Sequence, residues 1–167
     1  MLTRKVMSVT ALTIAIGWAG AQPAAAAGVR VVANRAPLSD LAPTTDDTDG
    51  ARGLAVGVIG NDSTTVVLVA TNLNRSGAVH GAHVHTGPCV AGNGAAAGSH
   101  YNHGGGISAQ TEVWLDFEVR GSTGVAVART PFAIPAGAAR SIVIHAAPTD
   151  PITGAAGARL ACLPLEF

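Results

Sequence analysis

Histidine is concentrated in one part of the chain. Five of the six histidines lie between residues 80 and 103, and two of them, His83 and His85, form an H-x-H pair. Because side chains of a β-strand alternate between its faces, His83 and His85 would share one face, about 7 Å apart along the strand. His100 follows in a Gly- and Ala-rich loop, and His145 ends a short apolar run. This pattern suits a copper or zinc site, because imidazole is a good ligand for both metals.

A structural explanation stands beside this one. An isolated histidine is more often a surface residue or a hydrogen-bonded core residue than a metal ligand. An H-x-H pair combined with two further histidines at a strand end and in a loop is less easily explained in that way. The pattern therefore favours a metal site.

The first 27 residues have the composition of a secretory signal peptide. Arg4 and Lys5 form a basic start, Val6–Ala19 is apolar, and the Ala-rich stretch that follows offers several A-x-A cleavage sequences. We expect cleavage near residues 25–27 and a secreted, extracytoplasmic protein. The apolar stretch is too short for a spanning helix, and no cysteine lies near the cleavage region, so no membrane anchor is expected.

The remaining chain is long enough for one domain and carries little charge. Residues 28–167 contain 8 arginines and 10 acidic residues, a formal charge of −2. Nucleic acids and anionic membranes are bound by clusters of basic residues, which this chain lacks. About 140 residues can bury a substantial core.

The two cysteines of the chain are Cys89 and Cys162. In an exported protein an even pair predicts a disulfide, which would close a long loop. Thiolate metal ligands are the alternative, but there is no C-x-x-C motif and the compartment oxidises thiols.

Short strands separated by turn residues predict an all-β fold. We divide the chain into an N-terminal strand with an Asp- and Pro-rich loop (28–52) and a β-domain (53–167). The loop contains four aspartates without the spacing of an EF-hand, so we interpret it as solvated. Residues 54–59 and 64–71 form a predicted hairpin around a turn cluster. The long Gly-rich segment 86–109 is a loop, and loops of that length are usually functional or disordered.

Residues 112–119 alternate strictly between polar and apolar side chains. This predicts a half-buried strand with one apolar face, formed by Val113, Leu115, Phe117 and Val119. Further strands are predicted at 125–128, 141–145 and 159–163. Such a series favours an antiparallel sandwich or barrel with long loops.

Four motifs, in this order, resemble the Cu,Zn superoxide dismutase family. They are HGAHVH at 80–85, GSHYN at 98–102, IVIH at 142–145 and GARLAC at 157–162. The resemblance covers about residues 50–165 and implies an eight-stranded antiparallel Greek-key β-barrel. It also implies a disulfide between Cys89 and Cys162.

The resemblance assigns roles to individual residues. Arg159 becomes the cation that attracts an anionic substrate, and His80 becomes a residue that supports the barrel. His100 becomes the ligand that bridges copper to zinc and takes part in catalysis by carrying a proton. The implied copper ligands are His83, His85, His100 and His145.

The chain departs from the family in its zinc loop. Only His103 follows the bridging histidine, and about six residues are missing before Trp114. The remaining zinc ligands would be His100, His103 and Glu112, with Asp116 as an alternative, whereas a closed site needs four. We expect an absent or altered zinc site, with Glu112 hydrogen-bonded to His100 in place of zinc.

The resemblance implies an exported, copper-dependent superoxide dismutase that acts as a monomer or homodimer on superoxide and forms oxygen and hydrogen peroxide. The loop before Arg159 is short, and Asp150 is its only carboxylate, so we expect weaker steering of substrate. Asp150 is either an outer acceptor for a ligand histidine or a plain turn residue. The alternative functions are a copper-buffering protein without turnover and a structural sandwich with incidental histidines.

Overall fold

The computed structural model describes residues 28–42 and 46–167, so the predicted signal peptide lies outside the described residues. The regular secondary structure of the described chain is almost entirely β, with one turn of 3₁₀ helix at Gly94–Ala97. None of the helical structure in these ranges is long and apolar enough to cross a membrane. The strands are β1 (Arg30–Pro37), β2 (Ser39–Asp40), β3 (Arg52–Ile59), β4 (Thr64–Thr71), β5 (Val79–His80), β6 (Ala82–His85), β7 (Phe117–Glu118), β8 (Thr123–Thr130), β9 (Ser141–His145) and β10 (Arg159–Pro164).

The strands form two four-stranded sheets and one two-stranded pair. The first sheet has the order β1-β3-β4-β8, the second β2-β10-β9-β6, and β5 pairs with β7. Every pairing is antiparallel. The prediction of an antiparallel all-β fold is therefore confirmed. Of the two predicted forms, sandwich and barrel, the barrel is not observed in the described chain, because these sheets remain separate.

The predicted hairpin forms as β3 and β4. β3 contains Val and Ile and β4 contains Val and Thr, and such β-branched residues favour extended backbone. A hydrogen bond of 2.8 Å from Gly60 N to Ser63 O closes the turn between them. β1 pairs with β3 from Arg30 to Pro37, so the N-terminal segment belongs to the same sheet as residues that follow the Asp-rich loop.

The second sheet separates the hydrophobic core from the histidines. In β6, Ala82 and Val84 pack into the large core cluster, which also contains Leu68, Leu115 and Ile142. Side-chain alternation puts His83 and His85 on the opposite face of β6. β9 runs antiparallel to β6, with His83 opposite Val143. His145 lies two residues beyond Val143 and therefore shares this face.

The alternating segment 112–119 is buried as predicted but is mostly not a regular strand. Its four apolar side chains, Val113, Leu115, Phe117 and Val119, are between 1% and 4% exposed. Only Phe117–Glu118 forms a strand, while the earlier residues make isolated bridges to His83 and Asn102. The alternation of side chains correctly predicted which ones are buried. An extended backbone directs every second side chain to the same face, whether or not the backbone is hydrogen-bonded in a sheet.

The predicted disulfide between Cys89 and Cys162 is confirmed. It joins the loop after β6 to β10, across 73 residues of sequence. Around it lies a second, smaller apolar cluster that contains Leu41, Ala97 and Val143. The bridge thus attaches the loop to the face of the second sheet that carries the histidines.

Removing the bridge should destabilise the fold. We expect the double variant Cys89→Ala/Cys162→Ala to lose about 2–5 kcal/mol of unfolding free energy, because the unfolded chain is no longer constrained by the long loop. Urea denaturation followed by circular dichroism measures this loss. A reductant should lower the stability of the parent protein and leave that of the variant unchanged. Equal stability of parent and variant would contradict the expectation.

Candidate metal centre

Four histidines from two strands and a loop come together on the outer face of the second sheet. His83 and His85 lie in β6, His145 ends β9, and His100 lies in the loop that the disulfide attaches. Each offers a nitrogen within 4.8 Å of the others. His83 and His85 are 0% exposed and His145 is 4% exposed, whereas the side chain of His100 is 20% exposed. These four residues could hold a metal ion.

Three of the four imidazoles use Nδ1 to hold the ring in place. His85 donates from Nδ1 to the carbonyl of Gly98 at 3.2 Å, and His145 donates from Nδ1 to the carbonyl of Gly157 at 3.3 Å. His100 donates from Nδ1 to Glu112 Oε2 at 2.9 Å. A neutral imidazole that donates from Nδ1 has its lone pair on Nε2.

The remaining ring nitrogens have no proton to share with one another. Nε2 of His85 and Nε2 of His145 lie 3.4 Å apart, and in these tautomers both are acceptors. His83 Nδ1 is buried and has no hydrogen-bond partner. Buried polar atoms are normally paired, so unpaired nitrogens at close range call for a cation. The donor set fits a metal ion that binds imidazole.

Burial keeps the imidazoles of His83, His85 and His145 neutral. Burial and the neighbouring His100 lower the pKa of His83 from 6.5 to about 2, and the same causes together with Arg159 lower the pKa of His85 to about 3. Burial lowers the pKa of His145 to about 4, although its hydrogen bond to Gly157 opposes the shift. Neutral imidazole is the form that binds metals, so the folded chain presents these ligands ready for binding.

Glu112 is the buried carboxylate that orients His100. It is 4% exposed, and Trp114 Nε1 donates to its Oε2 at 2.8 Å. Asn102 Nδ2 donates to Oε1 at 3.1 Å. The contact predicted between Glu112 and His100 is thus present in the structure, and two further donors hold the carboxylate in place.

His103 lies apart from this group. Its ring stacks on Phe132, with ring centres 4.6 Å apart and an angle of 4° between the planes. Among the described residues, the four-histidine group does not include His103, and no group of three or more close ligand atoms combines His100, His103 and Glu112. The structure therefore brings Glu112 to His100 but leaves His103 apart, so the three remaining zinc ligands expected from the resemblance do not form one group.

Arg159 lies at the start of β10, where it pairs with His145 in the sheet. It donates from Nη1 to the carbonyl of Gly94 at 2.6 Å and from Nη2 to the carbonyl of Gly98 at 2.7 Å. The Gly98 carbonyl thus accepts from both Arg159 and His85. Gly98 has φ 70° and ψ −155°, a region that is essentially restricted to glycine.

His80 and Asp150 lie outside the histidine group. His80 donates from Nδ1 to the carbonyl of His145 at 2.8 Å and packs beside Phe117, so it connects β5 to the end of β9. Asp150 accepts from the backbone of Ile152 and Thr153, contacts typical of a turn residue. Its neighbour Thr149 contacts His83 instead, at 2.7 Å from Nε2. No motif in the sequence predicted Thr149.

A second group of possible ligands lies in the Asp-rich loop. Asp40, Asp46 and Asp49 offer carboxylate oxygens within 4.8 Å of one another. Asp46 Oδ1 accepts from the backbone and hydroxyl of Thr48, which fits a turn. Exposed acidic groups of this kind are common without a bound ion.

No protein-family model matches the chain, and no curated protein matches it either. Its class is therefore given by the structure alone. The described chain is an antiparallel β-sandwich with one disulfide and a buried centre of four histidines that could hold a metal ion.

The metal-free protein should lose stability as the pH falls. Because the folded state lowers the pKa of His83, His85 and His145 below 6.5, the unfolded chain binds more protons at acidic pH. The free energy of unfolding therefore has its full value above pH 6.5. As the pH falls below 6.5, it decreases by up to about 1.4 kcal/mol per pH unit for each histidine. Urea denaturation between pH 7.5 and 5 measures this change. Bound metal should weaken the dependence, and a flat profile for the metal-free protein would contradict it.

Replacing Gly98 should affect stability and the site together. A Cβ atom at Gly98 would lie 2.6 Å from Thr86 Oγ1, in addition to the strain of its backbone. We expect Gly98→Ala to cost about 1–3 kcal/mol and to weaken metal binding through His85. Gly92→Ala is the matched control, because Gly92 also has positive φ but an added Cβ meets nothing within 4 Å. If Gly98→Ala and Gly92→Ala changed the unfolding free energy and the metal affinity equally, as measured by urea denaturation and metal titration, a special role for Gly98 would be contradicted.

Proposed function

We propose that the chain is an exported superoxide dismutase that works with copper bound by His83, His85, His100 and His145. The observation that carries this proposal is the group of four imidazole nitrogens within 4.8 Å of one another, together with the buried Nδ1 of His83, which lacks a hydrogen-bond partner. Copper is favoured over other divalent metals because it binds a given nitrogen site most tightly. The four-motif resemblance to Cu,Zn superoxide dismutases points to the same metal.

The bound copper would supply a redox couple that takes one electron from a first superoxide, releasing oxygen, and gives it to a second, which with two protons becomes hydrogen peroxide. The chain must hold the ligands, admit an anion and provide protons. His100 is suited to handle protons, because it is the most exposed of the four ligands. Glu112 holds the ring of His100 in one orientation through the hydrogen bond that it accepts from Nδ1.

Arg159 is the cation proposed to attract superoxide. Its guanidinium stays charged at all working pH values, and it lies close enough to the site to lower the pKa of His85. Both of its terminal nitrogens are already bound to carbonyl oxygens, which fixes the positive charge beside the histidines. A fixed charge of this kind raises the local concentration of an anionic substrate.

The proposed centre contains copper without zinc. Glu112 occupies the side of His100 at which the family places zinc, and His103 is stacked on Phe132. The proposal includes the Greek-key connectivity of the family. The sheet orders support it, because the chain leaves β4, contributes β6 to the second sheet and returns to pair β8 with β4.

A copper-buffering protein is the second candidate. The hydrogen bonds of Arg159 favour this second function. Both terminal nitrogens of its guanidinium already donate to carbonyl oxygens, so fewer N–H groups are left to bind a substrate. The two functions share one copper site and differ only in turnover.

The rate of superoxide disappearance tests the proposal. Residues 28–167 loaded with one equivalent of copper should remove superoxide in pulse radiolysis with a rate constant that approaches the diffusional ceiling of about 10⁹ M⁻¹s⁻¹. A rate no better than the background with copper still bound would overturn the dismutase function and leave a copper-binding protein without turnover. Failure to bind one equivalent of copper would overturn both.

Arg159→Ala should reduce the rate several-fold and make it less sensitive to ionic strength, because the attraction of the anion is lost. Arg159→Lys should retain part of the rate, since it keeps the charge. Arg120→Ala is the control, because the side chain of Arg120 is 85% exposed and pairs with Glu118 away from the histidines. An unchanged rate in Arg159→Ala would count against electrostatic guidance.

A further inference from the structure

His83 differs from the other three histidines in the nitrogen that it leaves free. His85, His100 and His145 are held through Nδ1 and present Nε2. His83 is held through Nε2, which lies 2.7 Å from Thr149 Oγ1, while its buried Nδ1 has no partner. Something must therefore set the tautomer of His83 opposite to that of the others.

The carboxylate of Asp116 determines the direction of the hydrogen bond at Thr149. Thr149 Oγ1 lies 2.6 Å from Asp116 Oδ1, and Thr149 N donates to Asp116 Oδ2 at 2.8 Å. An ionised carboxylate only accepts, so the single hydroxyl proton of Thr149 points to Asp116. The hydroxyl oxygen can then only accept from His83, which requires the proton on Nε2.

We propose that Thr149 is a positioning residue that relays the Asp116 carboxylate to His83, fixing the Nε2–H tautomer so that Nδ1 is the metal-binding atom. The inference rests on the proposed metal centre, but the tautomer itself exists without metal. Thr149 and Asp116 lie on different loops, 33 residues apart, and hold each other through two hydrogen bonds.

The backbone allows this contact only because residue 81 is a glycine. A Cβ at Gly81 would lie 2.8 Å from Thr149 Oγ1 and 2.7 Å from Ala156 Cβ. The loop after β9 therefore packs directly on the chain between β5 and β6. This close approach places the Thr149 hydroxyl at the edge of the His83 ring.

The first test is the tautomer of His83 in the metal-free protein, read from its imidazole ¹⁵N chemical shifts. In the parent chain Nε2 should carry the proton and Nδ1 should have the shift of an unprotonated nitrogen. Thr149→Val should shift His83 towards the Nδ1–H tautomer, whereas Thr149→Ser, which keeps the hydroxyl, should behave like the parent. Asp116→Ala should act like Thr149→Val, because the hydroxyl can then donate to Nε2.

Copper(II) titration and electron paramagnetic resonance form the second test. Thr149→Val should bind copper about 10- to 100-fold more weakly and show altered hyperfine couplings, and Thr149→Ser should restore both. An Nδ1–H tautomer in the parent, or a His83 tautomer unchanged in both Thr149→Val and Asp116→Ala, would overturn the inference. Because Asp116 is exposed, Asp116→Ala should leave the fold intact. This variant therefore tests the relay even if Thr149→Val disturbs folding. The expected tautomer in a parent protein that binds no copper would support the relay and overturn the proposed function.

Discussion

The packing of four imidazoles against one another is the constraint on which the rest of the structure depends. Four rings with lone pairs directed at one another repel unless a cation lies between them, and each ring must be held from outside for that arrangement to persist. The structure supplies one outer acceptor for each ring: two carbonyl oxygens, one carboxylate and one hydroxyl. Each acceptor comes from a loop, so the site extends from the sheet into the loops around it.

The sheet and the loops contribute in different ways. Three ligands lie on two paired strands, whose register fixes their separations and whose other face is embedded in the main core. The fourth, His100, lies in a loop and bridges to the backbone of His85. The regular strands fix the positions of three of the ligand histidines. The loops around them supply the hydrogen-bond acceptors that decide which ring nitrogen each histidine leaves free.

Part of this arrangement could be predicted from the sequence. Alternation along β6 predicted that His83 and His85 share a face, and the turn cluster at 60–63 predicted the hairpin, because both depend on local backbone geometry. The same reasoning placed the apolar side chains of 112–119 correctly but not its hydrogen bonding. The hydrogen bonding of a strand depends on which other strand lies beside it. Residues 112–119 meet the neighbouring backbone mostly at isolated bridges, which their own sequence does not reveal.

The barrel closure implied by the resemblance is not observed in the described chain, and the contacts of Thr149 could not have been predicted. Thr149 reaches His83 across 66 residues of sequence, and the approach requires a glycine at position 81 on a third segment. A threonine beside a proline-rich turn carries no local signal of such a contact. Long-range close approaches of this kind follow from the packed fold rather than from any periodicity.

The disulfide also has a consequence for the order of events during maturation. The bridge attaches the loop that carries Gly94 and Gly98, whose carbonyls hold Arg159 and His85, and the same loop continues to His100. In a chain whose cysteines are still reduced, this loop lacks its covalent attachment to β10. A metal ion that arrives early would meet three histidines on the sheet and a fourth on an untethered loop. Thiol oxidation is therefore the step that should precede tight metal capture.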